Sequence, residues 1–160
     1  IPVESWNDAL SPWKSPAVWG KQGFGGNAAD TLRFLTEQVI PSLKQQFNLP
    51  KNVKIILGGY SLAGLFALWA STQTNLFYGV AAASPSVWFP GWMEFEQQRP
   101  IQTQHIYLSL GDKEERTKTP SWLRWVITSA PCTVDLQSVA QIARLNGTAA
   151  GISKTPTCAQ

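Results

Sequence analysis

The sequence contains few charged residues and almost none of the side chains from which metal sites are built. Charged residues make up 14% of the 160 residues, and the chain has two cysteines and a single histidine, His105. Cys132 and Cys158 do not have the spacing of a metal site, and they do not indicate the redox compartment. We therefore expect neither a metal nor an organic cofactor.

The chain also lacks a basic block and a long apolar run. Its net charge of +3 comes from scattered lysines and arginines, which argues against nucleic acid as a partner. No apolar segment approaches the roughly 18 residues of a membrane span, so we expect no membrane partner and a cytoplasmic location. The first residues carry neither methionine nor a signal-peptide pattern, and they resemble the middle of a protein.

Strand and helix patterns alternate along the chain, which predicts an α/β fold with a mostly parallel sheet and helices on both faces. A long helix is expected over residues 27–47, with a kink or a break at Pro41. Short apolar runs predict three strands. The segments between them predict a helix, with Leu62, Leu65, Phe66 and Trp69 on one stripe, and a loop or short helix. In chain order these are the strand 53–59, the helix 62–72, the strand 78–84, the loop or helix 85–100 and the strand 105–110.

Two segments depart from this pattern. Residues 5–26 are rich in tryptophan, proline and glycine, and contain too many breakers for regular structure. From Ser121 onward the periodicity is weak, with one possible helix near 134–145 and a small, polar, loop-like end. We therefore divide the chain into a core over 1–120 and an atypical tail over 121–160, which we expect to pack poorly.

The stretch "LGGYSLAGLFALW", residues 57–69, places Ser61 between a predicted strand and a predicted helix. Gly59 and Ala63 lie two residues to either side, and a sharp strand-to-helix turn requires such small neighbours. The start of the helix brings the Leu62 N–H beside the serine oxygen, where it can donate to an oxyanion. The pattern predicts a nucleophilic serine, and the alternative is a chance Gly/Ser turn.

Four stretches, "WNDALSPW", "GYSLAGLFALW", "AAASPSVWFPGW" and "YLSLGDKEERT", make residues 1–119 resemble the α/β-hydrolase superfamily. Within it the chain is similar to the esterase branch that includes siderophore esterases. The resemblance implies a three-layer sandwich and hydrolysis of a small-molecule ester through an acyl-enzyme on Ser61. The sequence departs from the family pattern at Ala63, where glycine is usual. The family has further strands before the segment that starts here, so we expect a fold that is incomplete at both ends.

The resemblance also implies the acid and the base of a catalytic triad. The acid follows the third strand, where Glu114 is our first choice and Asp112 our second; a solvated charged turn is the alternative. The base should be a histidine near the C-terminus, but His105 precedes the third strand. The start of a parallel strand lies at the edge opposite the catalytic edge, so His105 is not expected to reach Ser61.

Two aromatic loops are candidates for contact with substrate. Ser84, Ser86 and Trp88 match a serine- and tryptophan-bearing loop near the active site of these enzymes. Trp13, in the loop over 5–26, would cover an apolar or aromatic acyl group. Turn formation and packing are the alternative roles of all these residues.

The tail suggests why no suitable histidine is present. We hypothesise that residues from about 121 onward are translated out of frame. Codons compatible with residues 144–159 allow the shifted frame to encode LEWNGGGHFKDADLR, whose histidine straddles the codons of Gly151 and Ile152. That product resembles the histidine-bearing end of the family, and the nucleotide sequence tests the hypothesis directly.

Three interpretations of function follow. The first is a serine esterase that is impaired because its histidine is absent. The second is a non-catalytic vestigial or binding module with the hydrolase fold, and the third is an acyltransferase of the same superfamily. The sequence gives neither the ester nor the oligomeric state.

Overall fold

A computed structural model describes residues 4–99, 101–103, 105–110 and 150–154 of the chain. The chain forms two compact units, Ile1–Ile55 and Ile56–Gln160. The charged turn over 111–119 and the possible helix over 134–145 lie outside the described residues. The division into a core over 1–120 and a tail over 121–160 therefore stays a prediction.

The first unit combines short helices with a small hairpin. Its elements are α1 (Trp6–Ala9), β1 (Lys14–Ser15), β2 (Phe24–Gly25), α2 (Ala28–Phe34), a π-helical segment (Leu35–Val39) and α3 (Ile40–Gln46). The strands β1 and β2 pair in antiparallel orientation. The buried hydroxyl of Ser11 donates to the Asn7 carbonyl (2.6 Å) and accepts from the Gly26 N–H (2.8 Å). Residues 5–26 thus contain more regular structure than their composition predicted, because one buried serine ties α1 to the hairpin.

The long helix predicted over residues 27–47 is confirmed, with an interruption near Pro41. The helix begins at Ala28, and its middle turn, Leu35–Val39, is π-helical. Proline has no N–H with which to continue the i→i−4 ladder, and a wider turn is one way for a helix to absorb such a gap. The expected kink or break at Pro41 is therefore a local change of helix type.

The second unit is built on a four-stranded sheet. Its elements are β3 (Ile56–Tyr60), α4 (Leu62–Gln73), β4 (Gly79–Ala83), α5 (Trp92–Gln98), β5 (His105–Leu110) and β6 (Ala150–Lys154). The strand order is β3-β4-β5-β6. The first three strands are parallel, whereas β6 runs antiparallel to β5. The predicted α/β class with a mostly parallel sheet is confirmed.

Strand β6 differs from the loop-like end that composition predicted. It pairs with β5 from Ile106 opposite Lys154 to Leu110 opposite Ala150. Every residue except proline offers a backbone donor and acceptor to an open strand edge, so pairing of this kind needs no apolar pattern.

Helix α4 is buried almost all round. Ten of its twelve residues are buried, including the predicted stripe of Leu62, Leu65, Phe66 and Trp69. The helix packs against β3 and β4. Small residues on its remaining faces, such as Ala67 and Ala70, are fully buried as well.

Among the helices that the structure describes, none combines the length and the apolar character that a membrane span requires.

Candidate active site at the carboxyl edge of the sheet

The carboxyl ends of three parallel strands form a common edge of the second unit. Tyr60 of β3 pairs with Ala83 of β4, and Ala83 pairs with Ser109 of β5. The next residue after β3 is Ser61, and the next after β4 is Ser84. The sheet therefore brings the segments that contain these two predicted site residues to one edge, which is where open α/β sheets bind their ligands.

Ser61 forms the turn between β3 and α4 in a conformation that is rare for a residue with a side chain. Its backbone dihedral angles are φ 55° and ψ −119°. The Ser61 N–H donates to the Ala83 carbonyl (2.9 Å), while the Ser61 carbonyl accepts from the N–H groups of Leu65 and Ser86 (3.0 Å each). Such a conformation costs about 1–3 kcal/mol and persists only where surrounding contacts hold it, as these do here.

The turn is possible because the strand and the helix approach each other closely. A Cβ placed on Gly59 would overlap the backbone carbonyl of Ala63 and lie 2.8 Å from the Ala63 Cβ. A Cβ on Gly64 would lie 3.1 Å from the Cα of Pro85. Position 59 therefore has no room for a Cβ, because the nearest obstacle is the backbone of residue 63 and not its side chain, whereas position 63 carries the Cβ of alanine.

The loop after β4 lies against this turn. Ser84 also has a positive φ, 42°, and its N–H donates to the Ser109 carbonyl at 2.6 Å. Three non-glycine residues of the described part have positive φ, and Ser61 and Ser84 are two of them. Backbone strain of this kind concentrates at functional sites. Trp88, in the same loop, is 37% exposed.

Ser86 makes the most direct contact with the predicted nucleophile. Its Oγ lies 3.2 Å from the Ser61 Oγ, and either hydroxyl could donate by geometry. The Ser86 side chain is only 1% exposed, whereas Ser61 is half-buried. Sequence reasoning placed Ser86 in the right loop but gave no reason to separate it from its neighbours, because the contact joins residues 25 positions apart.

The candidate oxyanion donor is in the predicted place. Leu62 is the first residue of α4 and follows Ser61 directly. The first N–H groups of an α-helix have no carbonyl partner within the helix, and they lie at its positive end. This geometry suits the stabilisation of a negative oxygen formed next to Ser61.

The described structure does not test three other predicted site residues. Glu114 and Asp112 lie outside the described residues, so the acid stays a prediction. Trp13 belongs to the first unit, where it is half-buried and directly precedes β1. Its role in binding substrate also stays a prediction.

His105 lies at the opposite end of the sheet. It pairs with Gly79, the first residue of β4, whereas the Ser61 N–H binds Ala83 four residues further along that strand. At about 3.3 Å per residue this separation is roughly 13 Å along the strand. The imidazole ring stacks on Tyr78, with 4.1 Å between ring centroids. Its position agrees with the expectation that it does not reach Ser61.

Among the residues that the structure describes, no three His, Cys, Asp or Glu side chains are grouped closely enough to hold a metal ion.

The nucleophile elbow of the α/β hydrolases is a serine on a sharp, strained turn between a strand and a helix, and the turn at Ser61 has this geometry. Comparison with known proteins agrees with this class. A family model described as "Putative esterase" matches residues 2–144, which is most of the chain. The chain therefore belongs to this esterase family. The match continues beyond residue 120, where the periodicity of the sequence weakens.

The solved structures similar to this chain include two that are described as siderophore hydrolases from Aspergillus nidulans. EstA is 24% identical with a TM-score of 0.60, and the match covers 78% of this chain and 50% of EstA. EstB is 31% identical with a TM-score of 0.43, and the match covers 55% of this chain and 29% of EstB. The likeness to EstA supports the fold. No curated protein sequence matches the chain.

The match extends over half of EstA and less than a third of EstB. The chain therefore spans only part of the length of these two enzymes, and the activity of a whole enzyme can only be proposed for it.

Proposed function

We propose that this chain carries the nucleophile and part of the oxyanion hole of a serine carboxylic ester hydrolase, with Ser61 as the nucleophile. The observation that supports the proposal best is the conformation of Ser61, a strained turn held by backbone hydrogen bonds from three sides. A chance serine turn has no need of such strain, whereas a nucleophile has to be exposed at the end of its strand.

The chemistry follows from the positions of the atoms. The Ser61 Oγ attacks the ester carbonyl carbon, the carbonyl π electrons move to oxygen, and the Ser61 proton passes to a base. The Leu62 N–H donates to the resulting oxyanion. Collapse of the tetrahedral intermediate expels the alcohol, which takes the proton, and leaves an acyl group on Ser61. Water then attacks this acyl-enzyme and releases the carboxylic acid.

The position of the only histidine, His105, leads us to expect slow acylation of Ser61. With His105 roughly 13 Å along the strand from the turn, no imidazole of the described residues is available to accept the Ser61 proton. A serine hydroxyl without a base is a weak nucleophile at neutral pH, and loss of a triad member leaves about 10³- to 10⁴-fold catalysis over water. We propose Glu114, or in second place Asp112, as the acid that would orient such a base.

The same observation favours a second candidate function, a non-catalytic module that keeps the hydrolase fold. The two candidates differ in whether Ser61 forms a covalent adduct. An acyltransferase would share the acyl-enzyme and differ only in its acceptor, which an added alcohol competing with water would reveal.

Covalent labelling tests the proposal. The chain is incubated with a fluorophosphonate and, separately, with p-nitrophenyl acetate, and the adduct is mapped by mass spectrometry of peptides. We expect slow labelling of Ser61 and none of this position in Ser61→Ala. Equal total labelling of the two proteins would contradict the proposed nucleophile. Serine-dependent turnover as fast as that of a complete triad would contradict the proposed lack of a base.

A further inference from the structure

The loop after β4 fixes Ser86 against the turn that carries Ser61. The Ser86 N–H donates to the Ser61 carbonyl, and the Ser86 carbonyl accepts from the Phe89 N–H, both at 3.0 Å. Pro85 and Val87, on either side of Ser86, are buried. The position of the Ser86 hydroxyl is therefore set by the backbone of a tightly bonded loop, and its oxygen lies 3.2 Å from the Ser61 Oγ.

Burial decides which of the two hydroxyls donates. A buried hydroxyl without a partner loses the hydrogen bond that water would have given it, which destabilises the folded state. Ser86 is 1% exposed, and in the described part of the chain the partner of its hydroxyl is the Ser61 Oγ. Ser61 is half-buried and can direct its own proton elsewhere. The arrangement that leaves neither group unsatisfied has Ser86 donating to Ser61.

We infer that Ser86 is a further member of the reactive site, whose O–H donates to the nucleophile oxygen of Ser61, fixes its rotamer and stabilises the negative charge that this oxygen gains as its proton leaves for a base. The inference about charge rests on the proposed function, whereas the donation itself does not. A hydrogen bond strengthens when its acceptor becomes charged, so the bond favours the attacking state over the resting one. Ser86 does not act as a base towards Ser61, because its hydroxyl is the donor of this hydrogen bond and not the acceptor.

The direction of donation also keeps the nucleophile competent. If Ser61 donated to Ser86, its proton would be held by a neutral hydroxyl and directed away from any base. With Ser86 as donor, the Ser61 proton is free to pass to a base. Donation from Ser86 therefore serves both stability and reactivity.

The test compares Ser86→Ala with a matched control, Ser71→Ala. Ser71 is also a buried serine of this unit, with 0% exposure, and its hydroxyl donates to the Leu68 carbonyl within α4. The measurement is the rate of fluorophosphonate labelling of Ser61. We expect Ser86→Ala to slow labelling by about tenfold or more, because a hydrogen bond to an oxygen that becomes charged is stronger than one to a neutral oxygen. We expect Ser71→Ala to stay within about twofold, and Ser86→Thr, which keeps the hydroxyl, to label faster than Ser86→Ala.

Two readouts do not depend on reactivity. In crystal structures, Ser61 should occupy one χ1 rotamer in the unmodified chain and more than one in Ser86→Ala. In thermal unfolding, Ser61→Ala leaves the Ser86 hydroxyl buried without its acceptor, so the Tm of Ser61→Ala/Ser86→Ala should exceed that of Ser61→Ala alone.

These readouts separate the inference from the proposed function. If the unmodified chain is not labelled at Ser61, the proposed function fails, and the rotamer and the Tm comparison decide the role of Ser86 alone. If Ser86→Ala labels as fast as the unmodified chain, the inference about charge fails while the esterase proposal stands. An unchanged Ser61 rotamer together with a double variant less stable than Ser61→Ala overturns the inference entirely.

Discussion

The two ends of the parallel strands in the second unit are built in different ways. At the carboxyl end, Ser61 and Ser84 have positive φ, and the buried hydroxyl of Ser86 contacts the Ser61 Oγ. At the amino end, His105 lies in regular register with Gly79 and stacks on Tyr78. One end holds strain and buried polar contacts, whereas the other holds ordinary strand pairing and a ring stack.

The difference shows where this chain has given up stability. Strained dihedral angles cost stability and are kept mainly where a function requires them, and in the described part of the second unit the non-glycine residues with positive φ lie at one end of the sheet. The only imidazole of the chain lies at the other end, where it contributes to packing. The comparison therefore supports a reactive serine at the carboxyl end and argues against His105 as its base.

The largest effect is expected from Gly59→Ala, which would disrupt the strained turn that distinguishes the carboxyl end from the amino end. The added Cβ would overlap the backbone of Ala63, so the strand and the helix would have to separate and the Ser61 turn would lose its geometry. Overpacking of this kind costs about 1–3 kcal/mol. We expect a lower free energy of unfolding in urea and a near-complete loss of Ser61 labelling.

The neighbouring glycine gives the matched control for this substitution. A Cβ on Gly58 meets the Ala81 carbonyl oxygen at 3.4 Å, which is ordinary van der Waals contact. Gly58→Ala should therefore leave stability and labelling close to those of the unmodified chain. Equal effects of the two substitutions would mean that the close approach at Gly59 is not what shapes the turn.

A smaller effect is expected from adding imidazole to the solution. Free imidazole would supply at the carboxyl end of the strands the group that the chain has only at their amino end, in His105. A positioned general base contributes about 10²- to 10⁴-fold, and a free base lacks the positioning. We expect imidazole at tens of millimolar to raise the rate of Ser61 acylation by p-nitrophenyl acetate by roughly tenfold. Ser61→Ala reports the direct reaction of imidazole with the ester. A rate that imidazole does not raise above this background would indicate that the site already has a base or cannot use one.

The sequence predicted the part of the site that is encoded locally. Gly59, Ser61 and Ala63 are close in sequence, and the requirement for small residues around a sharp turn follows from the backbone alone. The partner of Ser61 could not be found in this way. Ser86 reaches it because β3 and β4 pair in a particular register, and a pattern of neighbouring residues does not contain that register.

The fold shows the same division between local and long-range information. The predicted strands and helices were mostly correct because apolar runs and breakers are local signals. The burial of α4 on nearly every side and the addition of β6 to the sheet were not predicted. Both depend on what the rest of the chain places beside those segments, since a strand edge or a helix face acquires its partner only in the folded molecule.

The smallest effect is expected from His105, and it sharpens the comparison because two substitutions separate its possible roles. His105→Ala removes both the ring that stacks on Tyr78 and the imidazole, whereas His105→Phe keeps a ring and removes only the titratable nitrogens. A half-exposed ring stack contributes about 0.5–1 kcal/mol, so His105→Ala should lower the free energy of unfolding by about that amount and His105→Phe by less. Labelling of Ser61 should be the same in both variants as in the unmodified chain. A loss of labelling in His105→Phe at unchanged stability would mean that the imidazole does reach Ser61, and the two ends of the sheet would then share one site.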